Sequence, residues 1–60
     1  MKLHVKHHNP DPAYIRSLIE GAGVSQREAA RRLGIDERTM RRYLHRPSAP
    51  YLVQFALENL

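Results

Sequence analysis

The feature that most constrains this chain is a helix stop followed almost at once by a helix start. Gly34 suits the left-handed residue that closes a helix, and Asp36 suits the cap of a new helix, with only Ile35 between them. Ala30 lies about one turn before Gly34, where a small side chain lets a second helix approach closely. The sequence therefore predicts two short helices that meet at a tight corner.

Similar signals predict two more helices. Asp11 and Pro12 favour a helix start, and Ser25 with Glu28 matches a capping box ahead of the corner. The expected helices cover residues 12–22, 26–33, 37 to about 45, and 50 or 51 to about 59. We therefore expect an all-α, four-helix domain in residues 11–60, with the paired helices in about 25–45 and the C-terminal helix in about 50–60.

The first ten residues lack a sustained apolar period, so we expect an N-terminal arm at residues 1–10. Three histidines lie in it, at His4, His7 and His8. Structural zinc sites usually need four ligands on a folded frame, and no fourth ligand is evident. We accordingly expect no metal site and no cofactor.

The charge of the chain is concentrated in one stretch. Residues 27–46 hold seven arginines and three acidic residues, which accounts for the whole net charge of +4. A localised arginine cluster points to a polyanionic partner, either nucleic acid or an anionic membrane. The membrane alternative is disfavoured, because the apolar face of the basic helix is needed by its own core.

Several other classes of protein are excluded by what the sequence lacks. The chain has no cysteine, so thiol nucleophiles and disulfides are absent. Its carboxylates are scattered, and no glycine-rich phosphate loop occurs, so we expect no enzyme. No apolar run approaches the roughly 20 residues that a membrane span needs. We expect a soluble, cytoplasmic protein without a small-molecule ligand.

Two short helices with small residues in the first and an arginine-rich outer face on the second form a helix-turn-helix. In such a unit the start of the second helix enters the major groove, and the start of the first grips the phosphate backbone. The candidate base-reading residues are Glu37, Arg38, Thr39, Arg41 and Arg42. The candidate phosphate-binding residues are Gln26, Arg27 and Arg46.

Arg31 and Arg32 remain open between a DNA contact and simple solvation. Because arginine pairs with guanine and glutamate can accept from cytosine, we expect half-sites that contain GC pairs.

The C-terminal helix is apolar on too many sides for one small core. One stripe contains Leu52, Phe55, Ala56 and Asn59, and the other contains Val53, Leu57 and Leu60. A second copy of the chain is the simplest cover for the second stripe. The expected dimer-interface residues are Tyr51, Val53, Leu57 and Leu60.

The sequence also resembles a known family. Residues 23–34, GVSQREAARRLG, look like the helix-turn-helix of phage repressor-type regulators. The flanking segments DPAYIR at 11–16 and APYLVQFALE at 49–58 are similar to the small anti-CRISPR-associated helix-turn-helix regulators. This resemblance covers residues 11–60 and implies a dimeric autorepressor that binds inverted repeats in the promoter of an anti-CRISPR operon of a phage or mobile element.

The resemblance also implies roles for individual residues. An arginine after the Ser-Gln cap and one near the start of the recognition helix contact DNA in that family, and they correspond to Arg27 and Arg38. Glu28 replaces a second arginine of the family motif, and the loop before the last helix is shorter here. The alternative function is a protein-interaction module or antitoxin-like adaptor on the same fold. Binding to duplex DNA that weakens steeply with salt would distinguish the two.

Overall fold

The computed structural model describes residues 8–60, and that part of the chain contains four α-helices and no strand. They are α1 (Pro12–Ala22), α2 (Gln26–Leu33), α3 (Glu37–Tyr43) and α4 (Tyr51–Glu58). The all-α, four-helix fold expected from the sequence is confirmed. α3 ends two residues earlier than expected. After Tyr43 the backbone tightens, and the N–H groups of Leu44 and His45 donate to carbonyl groups three residues back, those of Arg41 and Arg42, each at 3.1 Å.

The starts of the first three helices are capped as the sequence predicted. Asp11 Oδ1 accepts from the Ala13 N–H at 2.9 Å, Ser25 Oγ from the Glu28 N–H at 3.0 Å, and Asp36 Oδ1 from the Thr39 N–H at 2.7 Å. These bonds satisfy donors that the helix itself leaves without partners. α1 and α2 each end at a left-handed glycine, Gly23 with φ 72° and Gly34 with φ 75°.

The core lies where all four helices meet. α2 packs against both α3 and α4, and α1 packs against α4. Its buried apolar side chains are Ile15, Ile19, Ala29, Ala30, Met40, Leu44, Ala49 and Leu57. Ala30 is 1% exposed, as expected for a small residue at the crossing of two helices.

The orientation of α4 corrects one expectation. Leu57 is 2% exposed and belongs to the core of its own protomer, so its assignment to a dimer interface is wrong. Gln54, one turn earlier, is equally buried, and its Oε1 accepts from the Asn9 N–H at 2.7 Å while Nε2 donates to Glu58 Oε2 at 3.1 Å. The row that contains Gln54 and Leu57 therefore faces inward, and Leu52 is left 64% exposed.

The described part of the predicted arm lies against α4. His8 Nε2 donates to the Ala49 carbonyl at 2.6 Å, and its ring meets that of Tyr51 edge-on at 6.0 Å. Together with the Asn9–Gln54 hydrogen bond, this contact joins residues 8–10 to the helical domain, which therefore starts before Asp11. The rest of the arm, with His4 and His7, lies outside the described residues.

Candidate nucleic-acid interface

The corner between α2 and α3 is closed by backbone hydrogen bonds. The Gly34 N–H donates to the Arg31 carbonyl at 3.2 Å, and the Ile35 N–H donates to the Ala30 carbonyl at 3.0 Å. Ile35 also packs against the core, so the turn is held by both polar and apolar contacts. This geometry fixes the direction in which α3 leaves the corner.

One face of α3 is basic and exposed. Met40 is fully buried on the opposite face, and Leu44 beyond the helix end is buried with it. Four arginine side chains of this region make no hydrogen bond or ion pair with another described residue: Arg38, Arg41, Arg42 and Arg46. A face with several unpaired guanidinium groups is suited to bind a polyanion.

The acidic cap of α3 keeps its charge beside these arginines. Hydrogen bonds from Thr39 hold the pKa of the Asp36 carboxyl below its ordinary value, and the charges of Arg38 and Arg42 lower it further. Thr39 is half-buried, and its backbone N–H is the group that binds the cap. The start of α3 is therefore fixed by a charged side chain of the turn.

The structure joins two residues that the sequence had assigned separate DNA contacts. Arg27 Nε donates to Glu37 Oε2 at 3.2 Å, linking the start of α2 to the start of α3. The two side chains are 82% and 44% exposed. Gln26, the other candidate at the start of α2, is half-buried. No local sequence pattern could have revealed the pair, because its partners lie on different helices.

Arg31 and Arg32 share one carboxylate. Glu28 Oε1 accepts from Arg31 at 2.5 Å, and Glu28 Oε2 accepts from Arg32 at 2.8 Å. The hydrogen bonds from Arg32 and Arg31 lower the pKa of the Glu28 carboxyl. Glu28 thus faces these arginines, and the carboxylate half of the expected capping box is not formed. Both arginines lie in the last turn of α2, away from the start of the helix, and this position favours the solvated alternative for both.

A residue that sequence analysis did not single out secures the other end of α3. Arg16 of α1 donates through Nη2 to the Leu44 carbonyl at 2.6 Å. A cation is favourable at the negative end of a helix, and this one also satisfies a terminal carbonyl. α3 is therefore held at its start by Asp36 and at its end by Arg16.

The residues expected at a dimer interface do not form one surface. Val53 lines a shallow apolar groove of about 160 Å³ with Leu33, Ile35, Leu52 and Ala56. Leu60 lines a separate groove with α1 residues, and Tyr51 lies beside His8. Leu52, the most exposed large apolar side chain of residues 8–60, borders the first groove.

Within residues 8–60, no group of three or more His, Cys, Asp or Glu side chains could hold a metal ion. None of the helices in this range has the length and apolar character needed to cross a membrane. Comparison with protein-family models gave no match, and comparison with curated proteins gave no match either.

Proposed function

We propose that this protein is a sequence-specific, double-stranded DNA-binding transcriptional repressor that acts as a dimer on an inverted repeat. The observation that carries the proposal is the exposed face of α3, where Arg38, Arg41 and Arg42 form no side-chain hydrogen bond or ion pair with a described residue. Arginines that served only to keep helix surfaces solvated would be spread over the whole domain. Here the whole net charge of +4 lies in residues 27–46. That distribution supports a helix whose outer face enters the major groove.

In this proposal the residues of the unit have separate roles. The α3 residues that contact base edges are Arg38, Thr39, Arg41 and Arg42. The residues that contact phosphates are Gln26, Arg27 and Arg46. The similarity of residues 11–60 to anti-CRISPR-associated regulators supports an autorepressor of an anti-CRISPR operon, acting in the cytoplasm of a bacterial host. The protein needs no cofactor, metal or catalytic group for this function.

The proposed dimer forms through the exposed face of α4. Leu52 projects beside the groove that Val53, Leu33 and Ile35 line, so a two-fold axis near Leu52 would cover the grooves of both copies. This arrangement retains Val53 from the sequence-based set and replaces Leu57, which is buried in the protomer, with Leu52. Tyr51 and Leu60 do not line this groove.

The second candidate function, a protein-interaction module or antitoxin-like adaptor, is favoured by the same groove. An exposed leucine beside an apolar groove could also bind an amphipathic segment of another protein. The difference is that an adaptor needs no basic face on α3. Variants of α3 should leave an adaptor unaffected and should disable a repressor.

The deciding experiment is selection of bound duplexes from a random DNA pool, followed by titration of the enriched duplex at several salt concentrations. A repressor should enrich a palindrome and lose affinity steeply as salt rises, because phosphate contacts release counterions. The matched control is the triple variant Arg38→Ala, Arg41→Ala, Arg42→Ala, which should enrich no sequence. If the wild-type protein enriches no sequence and shows no salt-dependent binding, the adaptor alternative is favoured.

A further inference from the structure

We infer that Glu37 is a positioning residue, which holds the Arg27 guanidinium for a backbone phosphate and does not read a base. The inference rests on the proposed DNA-binding function and deepens it. It contradicts the role in base recognition that sequence analysis gave to Glu37. Its basis is the 3.2 Å ion pair between Arg27 Nε and Glu37 Oε2.

The geometry leaves the arginine able to bind a second anion. A guanidinium has five N–H donors in a fixed planar fork, and Nε supplies only one of them. No other hydrogen bond of Arg27 to a described residue occurs, so both terminal nitrogens remain available. The side chain is 82% exposed, and such a long side chain would otherwise sample many rotamers. Pairing with Glu37 restricts those rotamers before a phosphate arrives, which lowers the entropic cost of binding.

The position of the pair matches this role. Arg27 is the second residue of α2, and Glu37 is the first residue of α3. Arg27 therefore lies at the end of α2 that sequence analysis assigned to the phosphate backbone, while Glu37 anchors it to the helix proposed to read bases. The ion pair sets the distance between a backbone contact and the base-reading face, and so fixes their relative register.

The sign of the expected effect separates this role from simple electrostatics. A carboxylate near a polyanion opposes binding, so removing it should strengthen DNA binding if its charge were all that mattered. The positioning role predicts the opposite. Glu37→Ala should weaken binding about two- to fivefold, the range expected for loss of an exposed ion pair. The loss should be equal on the selected duplex and on an unrelated duplex, because a phosphate contact carries no sequence information.

The test compares Glu37→Ala with Glu20→Ala, a matched control that also removes one exposed carboxylate, on α1. Glu20→Ala should bind DNA as tightly as wild type or more tightly. In an Arg27→Ala background, Glu37→Ala should cause no further weakening, since the residue it positions is gone. Glu37→Gln should lose less affinity than Glu37→Ala, because the amide oxygen can still accept from Nε. Thermal midpoints measured alongside should match wild type, which separates positioning from folding.

Three results would overturn the inference while leaving the proposed function intact. The first is that Glu37→Ala binds DNA as tightly as wild type. The second is that Glu37→Ala still weakens DNA binding in the Arg27→Ala background. The third is that a new duplex selection with Glu37→Ala shows relaxed preference at one base pair. If Glu37→Ala proves too unstable to assay, Glu37→Met carries the same comparison, because its side chain keeps the length but has no oxygen that can accept from Arg27 Nε. A wild-type protein that binds no duplex would instead overturn the proposed function, and this inference with it.

Discussion

Arg38 and Arg27 are both exposed, yet their surroundings differ. The Arg38 side chain on α3 forms no hydrogen bond or ion pair with a described residue, whereas Arg27 is held by Glu37 across the corner. An unpaired guanidinium on a recognition helix can turn to meet guanine O6 and N7. A guanidinium fixed at the start of α2 is suited to a phosphate. The two residues should therefore contribute to DNA binding in different ways.

We expect Arg38→Ala to cost about 1 to 3 kcal/mol on the selected duplex and to relax preference at one base pair. Arg27→Ala should weaken binding to all duplexes and lower the salt slope by about one unit. Fluorescence anisotropy titrations at several salt concentrations measure both effects. Arg31→Ala is the matched control, because it removes the same charge from the last turn of α2, away from the start of the helix. If Arg38→Ala lost the same DNA affinity on every duplex, the base-reading role would pass to Arg41 or Arg42.

A second prediction at the residue scale concerns pH. The pKa of Asp36 is lower in the folded state than its ordinary value of 3.8, because Thr39 hydrogen bonds and nearby arginines favour the charged form. The contribution of Asp36 to stability is therefore fully present above pH 3.8 and is lost as pH falls through the lower folded pKa. Asp36→Asn keeps a capping oxygen without a charge, so its thermal midpoint should approach that of wild type as the solution is acidified. A constant difference between the two proteins across the acid range would contradict this cause.

At the scale of the elements, the α2–α3 corner depends on small side chains at the crossing. Ala29 and Ala30 are 0% and 1% exposed. Because protein interiors are close-packed, we expect a longer side chain at either position to displace its neighbours. The turn itself is fixed by Gly34 and by the backbone bond from Ile35 to Ala30. The angle of α3 is thus set mainly by α2.

We expect Ala30→Leu to lower the free energy of unfolding by about 1 to 3 kcal/mol, the usual cost of overpacking a buried site. DNA binding should fall as well, because α3 would be displaced relative to Arg27. Ala13→Leu, at an exposed position of α1, is the control and should change stability little. Urea denaturation measures the effect. Unchanged stability of Ala30→Leu would show that the corner can open without loss.

The sequence predicted these elements well because their signals are local. Caps and left-handed glycines act within one turn of the chain, so Asp11, Ser25 and Asp36 could be recognised without knowledge of the fold. The inward face of α4 could not be chosen in this way. Its two apolar stripes are alike in composition, and only packing against α1 and α2 selects the row that contains Gln54 and Leu57.

The candidate site, too, was predictable only where its signals are local. The basic face of α3 follows from helical spacing, and the structure exposes its three arginines, Arg38, Arg41 and Arg42. The contacts that hold this face, from Arg16 to the Leu44 carbonyl and from Arg27 to Glu37, join residues on different helices. Their partners depend on the relative placement of helices, which no local pattern in one sequence encodes.

At the scale of the whole molecule, two faces are available for partners. One is the basic face of α3, and the other is the apolar groove that Leu52 borders on α4. The proposed function assigns DNA to the first and a second copy of the chain to the second. Each assignment has its own test.

We expect Leu52→Asp to give a folded monomer, because a carboxylate cannot be buried in an apolar interface without a partner. Sedimentation equilibrium at micromolar concentrations should show a dimer for wild type and a monomer for the variant, and DNA affinity should fall accordingly. Leu57→Asp is the informative contrast, since it should unfold the protomer itself. A monomeric wild-type protein would contradict the proposed dimer.

The proposed dimer should also require a fixed spacing between the half-sites of the duplex that it binds. Two symmetry-related copies of α3 reach the same side of a duplex only when half-site centres lie about 10 to 11 base pairs apart, or a multiple of this. Insertion of about five base pairs between half-sites should therefore rotate one of them to the opposite side and reduce affinity strongly, whereas insertion of about ten should restore part of it. Gel-shift titrations of the spaced duplexes measure this. Affinity that is independent of spacing would mean that each protomer binds alone.

The hydrogen bonds of His8 and Asn9 have a practical consequence for anyone who shortens the chain. A boundary drawn at the start of α1 would remove the Asn9 N–H that donates to the buried Oε1 of Gln54 and the His8 ring that donates to the Ala49 carbonyl. Buried acceptors are costly to deprive of a donor, and a domain of this size has little stability to lose. A trimmed protein that keeps its native core would begin no later than His8, and a tag or fusion partner is better joined ahead of that residue than in place of it.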